Sequence, residues 1–490
     1  MRAACRRLLT ALQWPRARLC CQQCPLSTAS NGSPPQVAVI GSGPAGFYTA
    51  QALLKGHPSL QVDLYEKLPI PFGLVRFGVA PDHPEVKNCI NSFTQTAHNE
   101  RFHFMGHVEV GKDVSVAELQ QAYTAVVLCN GSSNDRRLGI PGEDLPNVLS
   151  ARSFVGWYNG LPEDKDLVVD LDCDTAVVLG HGNVALDVTR MLLTPIDLLA
   201  KTDISQHALE VLSTSNIRKV VVVGRRGPLQ VSFTIKELRE MINLPRCRTV
   251  VRKEDVEDIK DKLDSLPRPR RRLSHLLYTA GAEPPQNYRD AWAEATHEWE
   301  LRFLRSPVEV IQRSNSAQME GVRFTVNRLE GTDFAKQKAV PTDEEEEIPC
   351  GLVLRSIGYE GVPIDDSVPF DAARGVVPNQ NGRVTGRPGL YCSGWIGQGP
   401  IFVILGTMND SFATAKVVLH DIVEGRAINK NAGGREQILP MLQQRGVKPV
   451  RFHQWEKVDK VETVLGAERG KPREKITSLQ EMLQIAWSPV

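Results

Sequence analysis

Two glycine-rich segments carry the residue types that bind dinucleotides. GSGPAG occupies residues 41–46 and GHGNVA occupies residues 180–185, and each segment follows a short apolar run. In such a segment the glycines permit a tight turn and a close approach of the backbone to a pyrophosphate. The following helix attracts the phosphates through the free N–H groups and the dipole of its N-terminus. Two such segments in one chain predict two bound dinucleotides, with electrons passing between them.

The residues one strand beyond each segment distinguish the two nucleotides. Glu66 ends the apolar run after the first segment, where an acid can bond to a ribose hydroxyl. Arg225 and Arg226 follow residues 219–223, at the point where NAD would require an acid. Guanidinium groups pair with the 2′-phosphate of NADP, so the second segment favours NADP over NAD. A solvated basic turn is the alternative explanation of this arginine pair.

Alternating strands and helices must position these residues. The β-branched runs at 37–40, 175–179 and 219–223 predict buried parallel strands. Residues 47–54 and 183–193 predict the helices that follow the glycines. The pattern therefore predicts an α/β fold that contains two nucleotide-binding units.

Three other stretches have weaker signals. Residues 195–217 predict a helical insertion, and residues 281–295 together with the acidic run 343–347 predict surface loops. The tail from about residue 425 predicts polar linkers and short amphipathic helices.

Length and charge narrow the function classes. At 490 residues with a net charge of +1, the chain predicts two or more domains and argues against a purely electrostatic nucleic-acid role. No apolar run approaches the ~20 residues of a membrane span. The first acidic residue is Asp63, and the arginines before it are Arg2, Arg6, Arg7, Arg16 and Arg18. Residues 1–32 therefore predict a mitochondrial transit peptide, cleaved between about 25 and 34, rather than an untargeted tail.

The cysteines beyond this leader argue against one class of flavin enzyme. They are Cys89, Cys129, Cys173, Cys247, Cys350 and Cys392, and no two of them form a Cys-x-x-Cys pair. A flavin disulfide reductase needs a neighbouring dithiol to receive its electrons. The sequence therefore predicts a different electron acceptor.

Four segments resemble the mitochondrial adrenodoxin (ferredoxin) reductase family. They are PFGLVRFGVAPDH at 71–83, GHGNVALD at 180–187, GRRGPLQ at 224–230 and GLYCSGW at 389–395. The resemblance implies a glutathione-reductase-like fold with two Rossmann-like domains. An NADP domain at 136–360 would be inserted into an FAD domain formed by 35–135 and 361–490. It also implies transfer of electrons from NADPH through FAD to a [2Fe–2S] ferredoxin, for mitochondrial cytochromes P450 and iron–sulfur assembly. The protein would lie in the mitochondrial matrix, either free or at the matrix face of the inner membrane.

The resemblance also implies roles for individual residues, and no metal site. The positions matched to FAD contacts are Gly41, Gly43, Ala45, Gly46, Glu66, Leu74, Val110, Trp395, Val403 and Ile404. Those matched to NADP contacts are His181, Gly182, Asn183, Val184, Arg225, Arg226 and Glu237. His83 and Asp187 match a catalytic histidine–carboxylate pair near the flavin. A capped turn between Asp82 and Pro84 is the structural alternative for His83.

A compact basic patch predicts how the acidic ferredoxin would dock. PRPRRR occupies residues 267–272 of an otherwise neutral chain, and a basic face steers an acidic partner. By resemblance, Arg239, Arg268 and Arg272 are the docking residues. A solvated basic loop is the alternative.

The sequence departs from the family at Asn130, in the stretch 132–136, and at two positions matched to cofactor contacts. His181 stands where the family usually has glutamine, and Phe402 replaces a glycine whose backbone contacts both cofactors. A side chain at such a position can occupy ligand space. This leaves open a catalytically impaired protein that binds FAD and ferredoxin. A flavin monooxygenase, which would oxidise NADPH without ferredoxin, is a further alternative.

Overall fold

The computed structural model describes residues 33–334, 336–401, 403–426, 429 and 432–489. The predicted transit peptide at 1–32 and the substituted position Phe402 lie outside the described residues.

The strands range from two-residue pairs to twelve-residue ribbons. In chain order they are β1 (Gln36–Ile40), β2 (Gln61–Glu66), β3 (Phe102–Gly106), β4 (Ala125–Leu128), β5 (Asn134–Asp135), β6 (Val148–Ser150), β7 (Thr175–Leu179), β8 (Lys219–Val223), β9 (Cys247–Val251), β10 (His297–Arg302), β11 (Arg305–Gln312), β12 (Met319–Glu330), β13 (Lys338–Pro349), β14 (Leu352–Arg355), β15 (Tyr359–Glu360), β16 (Asn379–Gln380), β17 (Arg383–Val384) and β18 (Leu390–Cys392).

The helices occupy most of the connections between these strands. They are α1 (Pro44–Gly56), α2 (Leu74–Phe77), α3 (Cys89–Ala97), α4 (Val116–Ala122), α5 (Ala151–Tyr158), α6 (Asn183–Leu193), α7 (Ile196–Leu199), α8 (Gln206–Ser213), α9 (Ile235–Ile242), α10 (Lys253–Val256), α11 (Arg268–Gly281), α12 (Gln286–Ala293), α13 (Trp395–Gln398), α14 (Ile404–Val423), α15 (Arg435–Gln444), α16 (Phe452–Glu468) and α17 (Leu479–Trp487). Short 3₁₀ turns lie at Val86–Asn88, Pro162–Asp164, Pro228–Gln230 and Glu257–Ser265.

The first sheet has the strand order β16-β17-β18-β4-β1-β2-β3. The five strands from β18 to β3 are parallel, and β16 and β17 extend the edge antiparallel. All five residues of β1 are buried because helices cover both faces. Val37 and Val39 enter the core that includes α1 and α16, while Ala38 and Ile40 enter the core that includes α4 and α15. This sheet is built from two separated stretches of chain, 36–128 and 379–392.

The second sheet, β6-β14-β7-β8-β10-β9, is parallel throughout. Val178 and Val222 face a core formed with α6, α9 and α11. Val177 and Val223 face the other way, against side chains of the antiparallel sheet β11-β12-β13. Helices therefore cover one face of the second sheet, and a smaller sheet covers the other.

The structure corrects both loop predictions. The acidic run 343–347 belongs to strand β13, where Arg323 on the neighbouring strand bonds to Glu347 at 2.9 Å. Cross-strand pairing of this kind compensates charges that look solvated in the sequence. Residues 281–295 contain helix α12, whose Tyr288 and Trp292 stack with ring centres 5.5 Å apart. Among the described residues, no helix combines the length and apolar character needed to cross a membrane.

Candidate functional site

The first glycine segment forms a tight turn between β1 and α1. Gly41 has φ +101°, and its N–H donates to the carbonyl of Tyr65 at 2.7 Å. A Cβ at Gly41 would lie 2.5 Å from the Cys129 carbonyl oxygen, and one at Gly46 only 1.9 Å from that of Gly41. A Cβ at Gly43 would meet no atom of the described residues within 4 Å. Gly41 thus permits the tight turn, and Gly46 permits close packing of α1 against that turn. Gly43 leaves the start of α1 open to a pyrophosphate, so this site fits the pyrophosphate of FAD.

Glu66 lies beside this turn at the end of β2. Its carboxylate accepts hydrogen bonds from the Ser42 N–H at 3.0 Å, the Ser42 hydroxyl at 2.7 Å and the Leu68 N–H at 3.1 Å. An ionised carboxylate has about four acceptor positions, so one remains for a ribose hydroxyl. The acid that the spacing singled out is therefore oriented by the fingerprint turn itself.

Two more segments lie against the first turn. The Phe72 N–H donates to the Ser42 carbonyl at 3.1 Å, which places Leu74 at the start of α2 beside it. A Cβ at Gly394 would lie 2.7 Å from the Cβ of Ala45, so the turn that begins α13 packs on α1.

A single carboxylate fixes the turn at residues 393–394, which precedes α13. Asp410 of α14 accepts from the Gly394 N–H at 2.7 Å and the Ser393 hydroxyl at 2.8 Å. Of the other positions matched to FAD, Trp395 is the first residue of α13, and Val403 and Ile404 lie at the start of α14. Val110 lies two residues after Val108, whose N–H donates to the backbone carbonyl of Glu66. Early and late parts of the chain thus meet beside the first glycine turn, where Gly394 packs against Ala45.

The second glycine segment repeats the geometry of the first. Gly180 has φ +131°, and a Cβ there would lie 2.1 Å from the Ser356 carbonyl oxygen. Within the part of the chain that the structure describes, a Cβ at Gly182 would meet no atom within 4 Å. Helix α6 begins at Asn183, whose side-chain oxygen accepts from the Thr234 N–H at 2.8 Å, and Val184 follows it half-buried. The start of α6 is therefore open to a second pyrophosphate.

His181 turns its side chain into the protein. Its Nε2 donates to the Val222 carbonyl at 3.0 Å, and its own carbonyl accepts from the Ser232 N–H at 2.8 Å. A Cβ at Gly224 would lie 2.2 Å from the His181 ring, so that glycine makes room for it. Burial lowers the pKa of His181 to about 4, which keeps the ring neutral near pH 7. The buried ring thus stabilises the loop at residues 180–182, and His181 faces the predicted pyrophosphate site with its backbone.

Arg225 and Arg226 leave their guanidinium groups uncommitted. Their backbone is fixed, because the Arg225 carbonyl accepts from the Asn327 side chain at 2.9 Å and the Arg226 carbonyl from the Leu304 N–H at 3.2 Å. Within the part of the chain that the structure describes, neither guanidinium makes a hydrogen bond or an ion pair. Two unpaired cations on a rigid strand end fit a 2′-phosphate.

The histidine of the predicted catalytic pair has a different partner from the one expected. His83 Nε2 lies 2.8 Å from a carboxylate oxygen of Glu240, on α9. Asp187 instead accepts from Arg190 at 2.7 Å. The sequence analysis missed Glu240, although its place three residues after Glu237 puts both acids on one face of α9. A capped turn between Asp82 and Pro84 does not account for the contact of His83 with Glu240, which joins two segments that are distant in sequence.

Arg190 is the centre of a buried charge cluster. Its guanidinium donates to Asp82 at 2.5 and 3.1 Å, and approaches Glu237 at 3.4 Å and Glu240 at 4.0 Å. Burial raises the pKa of Glu237 to about 7 and also raises that of Asp187. Burial in the cluster therefore favours the protonated form of both carboxyls.

The cluster joins the two halves of the molecule. Asp82 and His83 precede α3 beside the first sheet, whereas α6 and α9 pack on the second sheet. Glu237, matched to an NADP contact in the sequence, thus points to Arg190 here. His83, Glu237 and Glu240 lie close enough to suggest a metal triad, but the Arg190 guanidinium, 3.4 Å from Glu237 and 4.0 Å from Glu240, places a positive charge beside it.

The three predicted docking arginines are exposed on two helices in contact. Arg239 lies on α9, while Arg268 and Arg272 lie on the first turns of α11. The surface that carries these arginines includes α9, the helix on which Glu237 and Glu240 also lie.

Comparisons with known proteins agree with this geometry. Residues 35–242 match the family model described as pyridine nucleotide-disulphide oxidoreductase. The chain is 55% identical to NADPH:adrenodoxin oxidoreductase, mitochondrial, of Salvelinus fontinalis, over 94% of this chain and 93% of that protein. It is 56% identical to the Homo sapiens protein of the same name, with 92% of each chain covered. The solved structure of Mycobacterium tuberculosis FprA in complex with NADPH is similar, with a TM-score of 0.85, 38% identity, and coverage of 93% of this chain and all of that one.

Proposed function

Because this chain belongs to the NADPH:adrenodoxin oxidoreductase family, we propose that it transfers electrons from NADPH through FAD to a mitochondrial [2Fe–2S] ferredoxin. The observation that carries the proposal is the pair of open glycine turns, one followed by Glu66 and the other by two unpaired arginines. The impaired-enzyme alternative has no support from the relatives, whose names are those of an active oxidoreductase.

Each half of the molecule holds one nucleotide in this proposal. The parts 35–135 and 361–490 form the FAD domain, and 136–360 forms the NADP domain. Gly43 and the first turn of α1 receive the FAD pyrophosphate, and Glu66 accepts from its ribose. Gly182 and the first turn of α6 receive the NADP pyrophosphate, and Arg225 and Arg226 pair with its 2′-phosphate.

Bound FAD supplies the redox chemistry, taking a hydride from NADPH and passing electrons on singly. The protein positions the two rings and controls protons at their boundary. The contact of His83 Nε2 with Glu240 can hold a proton there, and Arg190 binds Asp82 and Asp187 in the same cluster. The structure supports a proton-holding role for His83 with Glu240, in place of the direct His83–Asp187 contact.

The names of the relatives support a mitochondrial location and adrenodoxin as the partner. We further propose that the mature protein works in the matrix after removal of the Arg-rich leader, and that it supplies cytochrome P450 and iron–sulfur assembly systems through ferredoxin. Association with the matrix face of the inner membrane is a further part of this proposal.

Rapid-mixing absorbance measurements test the proposed reaction. We expect NADPH to bleach the flavin of the purified mature protein much faster than NADH does, and a [2Fe–2S] ferredoxin to restore the flavin colour without oxygen. A protein that oxidises NADPH rapidly only with oxygen, releasing peroxide, would instead be an oxygen-using flavoprotein. A yellow protein that NADPH barely bleaches would show that the nicotinamide site is blocked.

Substituting the docking arginines tests the partner surface. The double change Arg268→Gln and Arg272→Gln is expected to raise the KM for ferredoxin by roughly 10-fold at low salt, because rim charges steer an acidic partner. The salt dependence of the association rate should also flatten. Arg313→Gln, an exposed arginine beyond β11, is the matched control and should retain the original KM. Equal salt dependence in the double variant and the control would contradict this docking surface.

A further inference from the structure

Arg270 lies on the same helix as two docking arginines but faces away from them. Successive residues of a helix are about 100° apart, so Arg268 and Arg272 share a face and Arg270 lies opposite. Arg268 and Arg272 are exposed, whereas Arg270 is half-buried. The docking helix therefore directs one arginine inward.

The inward arginine contacts the loop that carries the two nucleotide-binding arginines. Arg270 Nη1 donates to the Val231 carbonyl at 2.7 Å. Val231 follows the turn Pro228–Gln230, which begins directly after Arg225, Arg226 and Gly227. One hydrogen bond thus fixes the far end of the loop to α11.

Arg270 also adds an uncompensated positive charge to this loop. Burial, and next the charge of Arg226, lower the pKa of Arg270. Among the described residues, no carboxylate forms an ion pair with any of Arg225, Arg226 and Arg270. A guanidinium has five N–H donors, and Arg270 uses one of them on Val231. Like charges held together without acids are stabilised when an anion binds between them.

We propose that Arg270 is a specificity-determining residue of the NADPH site, which positions the Arg225–Arg226 loop and adds its charge to theirs in favour of a 2′-phosphate. The inference rests on the proposed function, since it assumes that this loop binds NADP. It places one end of the ferredoxin-docking helix in the nucleotide site.

Direct binding of two adenosine phosphates tests this role without turnover. Calorimetric titration of the FAD-loaded protein with 2′,5′-ADP and with 5′-ADP isolates the contribution of the 2′-phosphate. We expect Arg270→Gln to weaken binding of 2′,5′-ADP by roughly 10-fold, the value of one charge-assisted hydrogen bond, and to leave 5′-ADP within about 2-fold. Arg270→Lys, which keeps the charge but loses the planar fork, should fall between the two proteins.

Arg271→Gln is the matched control, because Arg271 is the exposed neighbour that approaches Asp264 at 3.7 Å. Its binding of both ligands should equal that of the unsubstituted protein. An equal loss of both ligands in Arg270→Gln, or no loss of either, would overturn the inference.

The same titrations separate this inference from the proposed function. If the unsubstituted protein binds both ligands equally, the NADP assignment itself fails. If Arg226→Gln loses the discrimination and Arg270→Gln and Arg270→Lys both keep it, the assignment stands and the role of Arg270 is wrong.

Discussion

Replacing Arg225 and Arg226 together with glutamine is expected to reduce the preference for NADPH over NADH by at least about 100-fold. Each guanidinium contributes a charge-assisted bond of about 1.5–3 kcal/mol, and both are free of acidic partners among the described residues. Glutamine retains a donor and similar length but removes the charge that a 2′-phosphate dianion requires. Because NADH lacks that phosphate, its kcat/KM should change little.

Ferricyanide reduction, which needs no ferredoxin, measures this preference with each nucleotide in turn. Arg248→Gln is the control, since Arg248 is an exposed arginine of the same sheet that pairs with Glu298. If the double variant lost NADPH and NADH activity in the same proportion, the arginines would support the loop rather than recognise the phosphate.

The nucleotide turns were predictable from sequence because their chemistry is local. Gly41 and Gly180 adopt positive φ values within the turn, and a Cβ at Gly46 would meet the carbonyl of Gly41 in the same motif. Helix α6 begins and ends where the pattern predicted. The strand 219–223 and the helical insertion, seen as α7 and α8, were likewise confirmed. Short-range backbone geometry dominates at all of these positions.

The charge cluster was not predictable because its contacts are distant in sequence. His83 and Glu240 are 157 residues apart, and Arg190 and Asp82 are 108 apart. Nothing in a single sequence ranks Glu240 above Asp187 as the partner of His83. Only the packing of α9 against the segment at 82–83 decides it.

The tail shows the same limit. The sequence predicts polar linkers in the tail from about residue 425, yet Lys471 and Lys475, between α16 and α17, are buried. Lys475 lies 3.3 Å from an Asp203 carboxylate oxygen and donates to the Asp203 carbonyl at 3.1 Å. Burial lowers the pKa of Lys475 to about 7. The tail thus holds the helices of the second sheet in place through buried ion pairs. Composition alone would predict that these charged side chains are exposed to solvent.

Arg190→Met is expected to lower the free energy of unfolding by about 3–5 kcal/mol at pH 8, because it removes a buried cation from a group of carboxylates. Without Arg190, the pKa values of Asp187 and Glu237 rise above those of the original protein. A carboxyl whose pKa is higher folded than unfolded binds protons on folding. The variant should therefore lose stability as the pH rises from about 4.5, the ordinary carboxyl value, through 7 and above.

Urea unfolding of the FAD-loaded proteins at pH 5.5 and pH 8 measures this difference. At pH 5.5 most of the cluster can be protonated, so the loss caused by Arg190→Met should be clearly smaller there than at pH 8. Arg328→Met, which removes an exposed arginine 2.8 Å from Glu330, should cost less than about 1 kcal/mol at both values. A loss of the same size at both pH values would mean that the arginine stem contributes packing alone. A larger loss at pH 8 than at pH 5.5 would instead show that the charge of Arg190 stabilises the boundary between the two nucleotide sites. The stability of that boundary would then depend on how many of its carboxyls are protonated.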